Sequence, residues 1–294
     1  MSSVEPGLKP SSRLVMFWRS APASLKFGLV LLGLHLAAAA VGPLVAPYGY
    51  AEIGVGMPLS GMSPGHPMGV DQLGRDVFSR VLYGSHIVIL LSLSGTALGL
   101  IVGSLVGLTS AYAGGLVDEV LQRLIEALVS IPYIVLGLLA VYALGPALAG
   151  RPELLVFVIA IIYWPRIARI ARAAALDIVT RDYVVAARLR GDSAWTIVRR
   201  DLAPNTASTL MVEFALRTGY APALIAAFGF LGFGVQPPLP EWGLMISENR
   251  SLILISPVTV LGPGLALATL VIAINITAEG LARLSGYQPD VTGR

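Results

Sequence analysis

Six apolar stretches, each about long enough to cross a bilayer, decide what this chain can become. They run from about Phe27 to Pro47, Ile87 to Tyr112, Glu119 to Leu144, Leu154 to Arg172, Thr206 to Gly234 and Pro257 to Leu284. A hydrocarbon core of roughly 30 Å takes about 20 apolar residues in a helix. Lipid offers backbone groups no partner, so segments of this kind become helices. Only 13% of the 294 residues are charged, against roughly 25% in soluble domains. The expected class is all-α: a polytopic membrane protein of six transmembrane helices. Its parts are a cytoplasmic N-terminal segment 1–26, a first helix 27–47, an outer loop 48–86, a five-helix core 87–284 and a cytoplasmic tail 285–294. The first helix ends in a run, Leu36 to Ala40, with some likeness to a signal-peptidase site. The long basic lead and the many later spans favour its retention.

Charge sets the orientation. With the N-terminus inside, Lys9, Arg13, Arg19, Lys26, Arg172, Arg181, Arg188, Arg190, Arg199, Arg200, Arg283 and Arg294 face the cytoplasm. Only Arg75, Arg80, Arg151 and Arg250 face out. That asymmetry follows the positive-inside rule and explains a net charge of +3 without recourse to nucleic acid. Cysteine is absent and His35, His66 and His86 lie far apart, so neither a thiolate nor a histidine metal site is expected. No G-x-x-x-x-G-K-[ST] phosphate loop occurs, and no nucleophile elbow or paired acid and base was found. No catalytic residue, metal ligand or cofactor is therefore assigned to this chain.

The cytoplasmic stretch Tyr183 to Pro204 reads as an elbow. Tyr183 to Arg190 has good helix formers, Gly191 permits a bend, and Asp192 or Ser193 can cap a second short helix. That second helix is expected from about Ala194 to Leu202, stopping at Pro204. Val184, Ala187, Trp195, Val198 and Leu202 give both arms an apolar side, and the arginines give a wet one. Such a knob suits docking of a soluble partner.

Within the spans, Gly95, Gly99, Gly103 and Gly107 form a smooth stripe for close helix packing. Arg123 and Glu126 can pair, Pro132 is expected to kink the third span, and Arg166, Arg169 and Arg172 to mark the cytoplasmic end of the fourth. Glu213 and Arg217 stand i,i+4 inside the fifth span. A lone arginine at mid-helix costs about 2.5–3.5 kcal/mol, so they pair in a buried site, snorkel, or face a water-filled path. Outside, Asp71 and Asp76 can pair with Arg75 and Arg80, and Val77, Val81 and Leu82 can lay a short helix on the membrane surface. Gln236, Pro237, Pro238, Pro240 and Trp242 suit a rigid outer re-entrant turn, with the tryptophan at the interface.

Four stretches carry a family resemblance. Tyr183 to Pro204 resembles the "EAA loop" of membrane subunits of ATP-binding-cassette importers, with Ala186, Ala187, Gly191 and Pro204 in place and Val185 at the glutamate position. His66 to Ser85, HPMGVDQLGRDVFSRVLYGS, resembles the signature before the second span of peptide and nickel permeases, with Asp71, Gly74, Arg75 and Asp76 in register and Val70 for the usual threonine. Tyr112 to Pro132 and the run from Phe230 through Gln236, Pro237 and Trp242 to Arg250 are similar to the same permeases.

The resemblance implies a type I importer permease: the second-type inner-membrane subunit of a dipeptide, oligopeptide or nickel importer. It implies, as partners, a second permease in a heterodimer, two P-loop ATPase subunits that hold ATP and magnesium, an extracytoplasmic binding protein, and membrane lipid. Ala186, Ala187, Arg188, Gly191, Trp195 and Pro204 would couple to the ATPase. The rivals are a nickel or other small-solute permease and an ion-gradient-driven secondary transporter, which would show inverted repeats.

Overall fold

The computed structural model describes residues 22–148 and 150–284. Most of the N-terminal segment and the tail 285–294 therefore lie outside the described residues. Five helices are long and apolar enough to span a membrane, and a sixth candidate span is a bent pair. In chain order the helices are α1 (Ala23–Val45), α2 (Val77–Ala113), α3 (Gly115–Ser130), α4 (Tyr133–Leu148) and α5 (Pro152–Val179). There follow α6 (Asp182–Leu189), α7 (Ala194–Ile197), α8 (Ala203–Phe230), α9 (Trp242–Asn249) and α10 (Val258–Leu284). No strand occurs among the described residues, only two isolated bridges in the outer loop.

The α2–α5 pair is the keel of the bundle, and the glycine stripe explains it. A Cβ on Gly95 would stand 2.9 Å from Ile159, and one on Gly103 2.7 Å from the Trp164 carbonyl oxygen. Gly99 faces Ala160 and Tyr163, and Gly107 faces the backbone of Ala168 and Arg172. The two backbones meet where no side chain intervenes, the arrangement that lets dispersion hold helices together in lipid. Around that line Leu155, Val158, Ile159, Ile162, Ile225 and Phe228 form the main core with α8. A second cluster at the outer end joins Ala39 of α1, Val77 and Val81 of α2, Trp242 of α9 and Leu270 of α10.

The expected outer surface helix is instead the start of α2, which begins at Val77 and runs 37 residues without a break. At 1.5 Å per residue that is roughly 55 Å, long enough to project beyond the hydrocarbon core. Val77 and Val81 are buried against the protein. Asp76 caps the helix by accepting from the Ser79 amide at 2.7 Å.

The third span is not a kinked helix. The chain turns by 101° between α3 and α4, at Ile131–Pro132. Proline removes an amide donor and pushes the residue before it out of the helical region; Ile131 is accordingly extended, with ψ 129°. The anticipated Arg123–Glu126 pair is replaced by Arg123–Glu119, i,i+4 and exposed. Asp118 holds α3 to α5 through a two-pronged contact with Arg172, both N–O distances 2.6 Å.

Helix α5 extends seven residues past Arg172, to Val179. Arg166 therefore stands near its middle, fourteen residues from Pro152 or roughly 21 Å along the axis. It does not mark the end of that helix.

Candidate functional site

Three places bring the candidate residues together. The first is the elbow. Helix α6 ends in a Schellman turn: the Asp192 amide donates to the Ala187 carbonyl at 3.1 Å and the Gly191 amide to that of Arg188 at 3.0 Å. Gly191 takes φ +81°, a left-handed geometry a side chain disfavours, and open space surrounds the position a Cβ would occupy. Ser193 caps α7 by accepting from the Thr196 amide, while Asp192 instead meets Arg190 at 2.9 Å.

The second arm does not stop at Pro204. A π-helical turn over Val198–Leu202 runs straight into α8, and the Ala203 amide reaches back five residues to Val198. A wider turn accommodates the missing proline amide. The second arm of the elbow and the fifth span are thus one continuous rod, Ala194–Phe230.

Burial divides the elbow differently from the sequence expectation. Val184, Ala187, Ile197, Val198 and Leu202 pack on Leu108, Ala111, Ala175 and Ile178 of the membrane body. Ala187 is fully buried there, so it anchors the elbow and cannot touch a partner. Trp195, expected on the packed side, is 58% exposed, and Leu189 is 84% exposed. Val185 and Tyr183 are also exposed, and Ala186 and Pro204 lie at the surface. The Arg188 guanidinium sits 4.6 Å from the Tyr112 ring centre, tying α6 to the end of α2.

The second place lies midway along α5 and α8. Arg217, fourteen residues into α8, pairs with Glu213 at 2.5 Å; Glu213 is buried. The guanidinium lies 5.7 Å from the Tyr163 ring centre. Tyr133, Tyr163, Tyr220, Arg166 and Arg217 line a cavity of about 340 Å³. Glu213–Arg217 is thus both a pair and, through Arg217, part of a cavity wall.

The third place is the outer face. Asp71, almost fully buried, accepts from the amides of Leu73 and Arg75 and from the side chains of Arg75 (2.6 Å) and Arg80 (2.8 Å). Glu248 of α9 closes the network on both arginines, at 2.9 and 3.1 Å. Asp76 meets His66 at 2.9 Å rather than an arginine. Gly74, at φ +75°, packs against Gly54 with no room for a Cβ. Trp242 is fully buried, not interfacial, and its indole donates to the Val81 carbonyl at 3.1 Å. Gln236 stays near the carbonyls of Gly232 and Gly234, beside the cis Pro237–Pro238 bond. Glu241, also fully buried, caps α9 through the amides of Gly243 and Leu244. Burial pushes its carboxyl up to about 7 although both amides pull the other way.

A model of the family described as binding-protein-dependent transport system inner membrane component matches residues 76–286, which includes the whole of the elbow, the mid-helix cavity and α9. The chain belongs to this family. It is 36% identical to the glutathione transport system permease protein GsiD of Pectobacterium atrosepticum, over 75% of this chain and 72% of that one. It is 34% identical to the di/tripeptide transport system permease protein DppC of Pseudomonas aeruginosa, over 94% and 93%. With the dipeptide permease DppC of Alkalihalophilus pseudofirmus it shares 32% over 90% and 88%. The match to the permease family begins at Asp76, the cap of α2, so α1 and residues 48–75 of the outer loop lie outside the matched segment, while the similarity to the two DppC permeases extends over 90% and 94% of this chain.

Sequence reasoning missed Glu248, Glu241, His66 and the mid-helix position of Arg166. Glu248 is 168 residues from Arg80, and the local charges Asp71, Arg75, Asp76 and Arg80 already balance, so nothing in the sequence called for another acid. The one available signal for Arg166 was its place after Pro165, within an apolar run that continues beyond Arg172.

Proposed function

We propose that this chain forms one half of the translocation pathway of an ATP-binding-cassette importer for di- and oligopeptides. In the assembly it pairs with a second, related permease and receives solute from an extracytoplasmic binding protein. Two cytoplasmic P-loop subunits bind ATP and magnesium and move the elbow. Both termini lie on the cytoplasmic side, following the arginine asymmetry between inner and outer loops.

The observation that carries this reading is the continuity of the elbow's second arm with α8. A force applied at the exposed patch of Tyr183, Val185, Leu189 and Trp195 reaches the body through the buried Val184–Leu202 cluster on which both arms pack. From there α8 carries it to Arg217 and the mid-helix cavity. Val185 at the glutamate position of the coupling motif makes this contact apolar, so docking rests on burial of Val185, Leu189 and Trp195. The peptide assignment is supported by the di/tripeptide, dipeptide and glutathione permeases to which the chain is similar.

The test is uptake in proteoliposomes holding the complete importer and its binding protein. Di- and tripeptides accumulate when ATP and magnesium are enclosed on the ATPase side, and a proton gradient alone drives none. Uptake that follows the gradient and ignores ATP would overturn the assignment.

A further inference from the structure

We infer that the cavity between α4, α5 and α8 is a carboxylate subsite on the solute path, in which Arg166 meets a free carboxylate of the passing peptide. This rests on the importer reading and adds the residues of this chain that contact the solute.

Charge is the first observation. Arg166 and Arg217 line the cavity of about 340 Å³, and both continue into an adjoining one of about 370 Å³ that adds Arg169. Glu213 is taken by Arg217. Among the described residues Arg166 has only a long 3.4 Å contact to the Ile162 carbonyl of its own helix, and no carboxylate pairs with Arg166 or Arg169. An uncompensated cation midway along a spanning helix is costly unless water or an anion balances it.

The second observation is independent of charge. Tyr163 is 5% exposed, yet its hydroxyl has no hydrogen-bond partner. A buried hydroxyl left without a partner is unfavourable, and Tyr163 belongs to a wall of the same cavity. A carboxylate held by Arg166 offers an acceptor oxygen to it.

The remaining lining fits the rest of a short peptide. Tyr133 and Tyr220 present rings, and Ile134, Ile162 and Leu224 present apolar surface. Rings accept an ammonium through the π face, and the apolar wall accepts side chains without selecting among them. The volume lies in the range of small-ligand sites, roughly 300–1,000 Å³. Fixed cations with little hydrogen bonding of their own attract an anion yet bind it loosely enough for release, which passage requires.

The experiment compares wild type, Arg166→Gln, Arg166→Lys and Tyr163→Phe, each purified with its partner subunits and reconstituted with the binding protein. ATP-driven uptake is measured for tri-alanine, tri-alanine amide and alanyl-glutamyl-alanine amide. Arg166→Gln is expected to slow tri-alanine about tenfold, the loss of one charged hydrogen bond, while the tri-alanine amide stays within about twofold of wild type. Arg166→Lys recovers most of the lost rate, and Tyr163→Phe slows tri-alanine about threefold. ATP hydrolysis evoked by the loaded binding protein changes less than about twofold in each variant. A defect shared by the glutamyl amide supports the subsite and makes any carboxylate its ligand; a defect confined to tri-alanine makes the C-terminus its ligand. Equal defects for tri-alanine and its amide, or none for either, overturn the carboxylate role. Should Arg166→Gln fail to assemble, the lysine and phenylalanine variants carry the same comparison. Failure of wild type to take up any of the three peptides contradicts the peptide-importer reading itself, a separate outcome.

Discussion

Asp71 accepts four hydrogen bonds, two of them from buried guanidinium groups whose other carboxylate partner is Glu248. Arg75 and Arg80 are each about as buried as Asp71, so removing this carboxylate leaves two buried cations sharing Glu248 alone. Asp71→Asn is expected to destabilise the protein by about 3–5 kcal/mol, the usual cost of breaking a buried pair. Glu248→Gln, at the more exposed end of the network, is expected to cost about 1 kcal/mol. Thermal unfolding of the complex in lipid nanodiscs separates the two, and equal shifts would show the network to be superficial. The local half of this cluster was legible because Asp71, Arg75 and Arg80 recur within ten residues. Glu248 was not, since a partner brought by tertiary packing leaves no spacing to read. Arg166 was misplaced for a related reason: Arg166, Arg169 and Arg172 step along one helix face, which resembles a cytoplasmic border, and only the true length of α5 shows otherwise.

Individual elements were legible in kind more than in boundary. The spans and the glycine stripe were visible because lipid forces both long apolar runs and close backbone contact. Gly107 is the tightest point of the stripe, where a Cβ would overlap the Ala168 carbonyl oxygen. Gly107→Leu is expected to cost more than about 3 kcal/mol and to abolish recovery of a monodisperse complex on size exclusion, because backbone cannot step aside as a side chain can. Gly145→Ala in α4, where nothing lies within 4 Å, is expected to leave recovery unchanged. The prolines were harder to read. Pro132 breaks its span by 101°, whereas Pro204 breaks nothing because a π turn precedes it. Sequence marks a proline as a disturbance, and the neighbouring packing decides whether the chain bends or widens around it. Gly191 was read correctly as a bend, since a Schellman turn needs one residue at positive φ and glycine supplies it at least cost.

At the scale of the whole molecule, the account is a lever on a keel. The α2–α5 contact is fixed by backbone proximity, and α8 runs from the exposed elbow past that keel to the arginine- and tyrosine-lined cavity. On the proposed function, movement at one end of the rod would change the walls at the other, as an importer driven by cytoplasmic ATPases requires. Membership of the permease family was legible from four motifs in the right order. Which elbow residues face outward was not, because Ala186 and Ala187 differ by one helical step of about 100° and only packing shows that Ala187 points into the protein. The most direct measurement is affinity capture of the tagged chain in mild detergent, comparing wild type with Gly191→Pro and Leu189→Asp. Proline at Gly191 forbids φ +81° and removes the amide bonded to Arg188, and aspartate at Leu189 charges the exposed patch. The account predicts that wild type brings down a P-loop ATPase and a second permease, and that both variants keep the permease while losing at least about tenfold of the ATPase. Equal recovery of the ATPase by all three proteins would contradict the elbow as the point of coupling. Recovery of wild type alone, still moving solute without ATP, would contradict the importer itself.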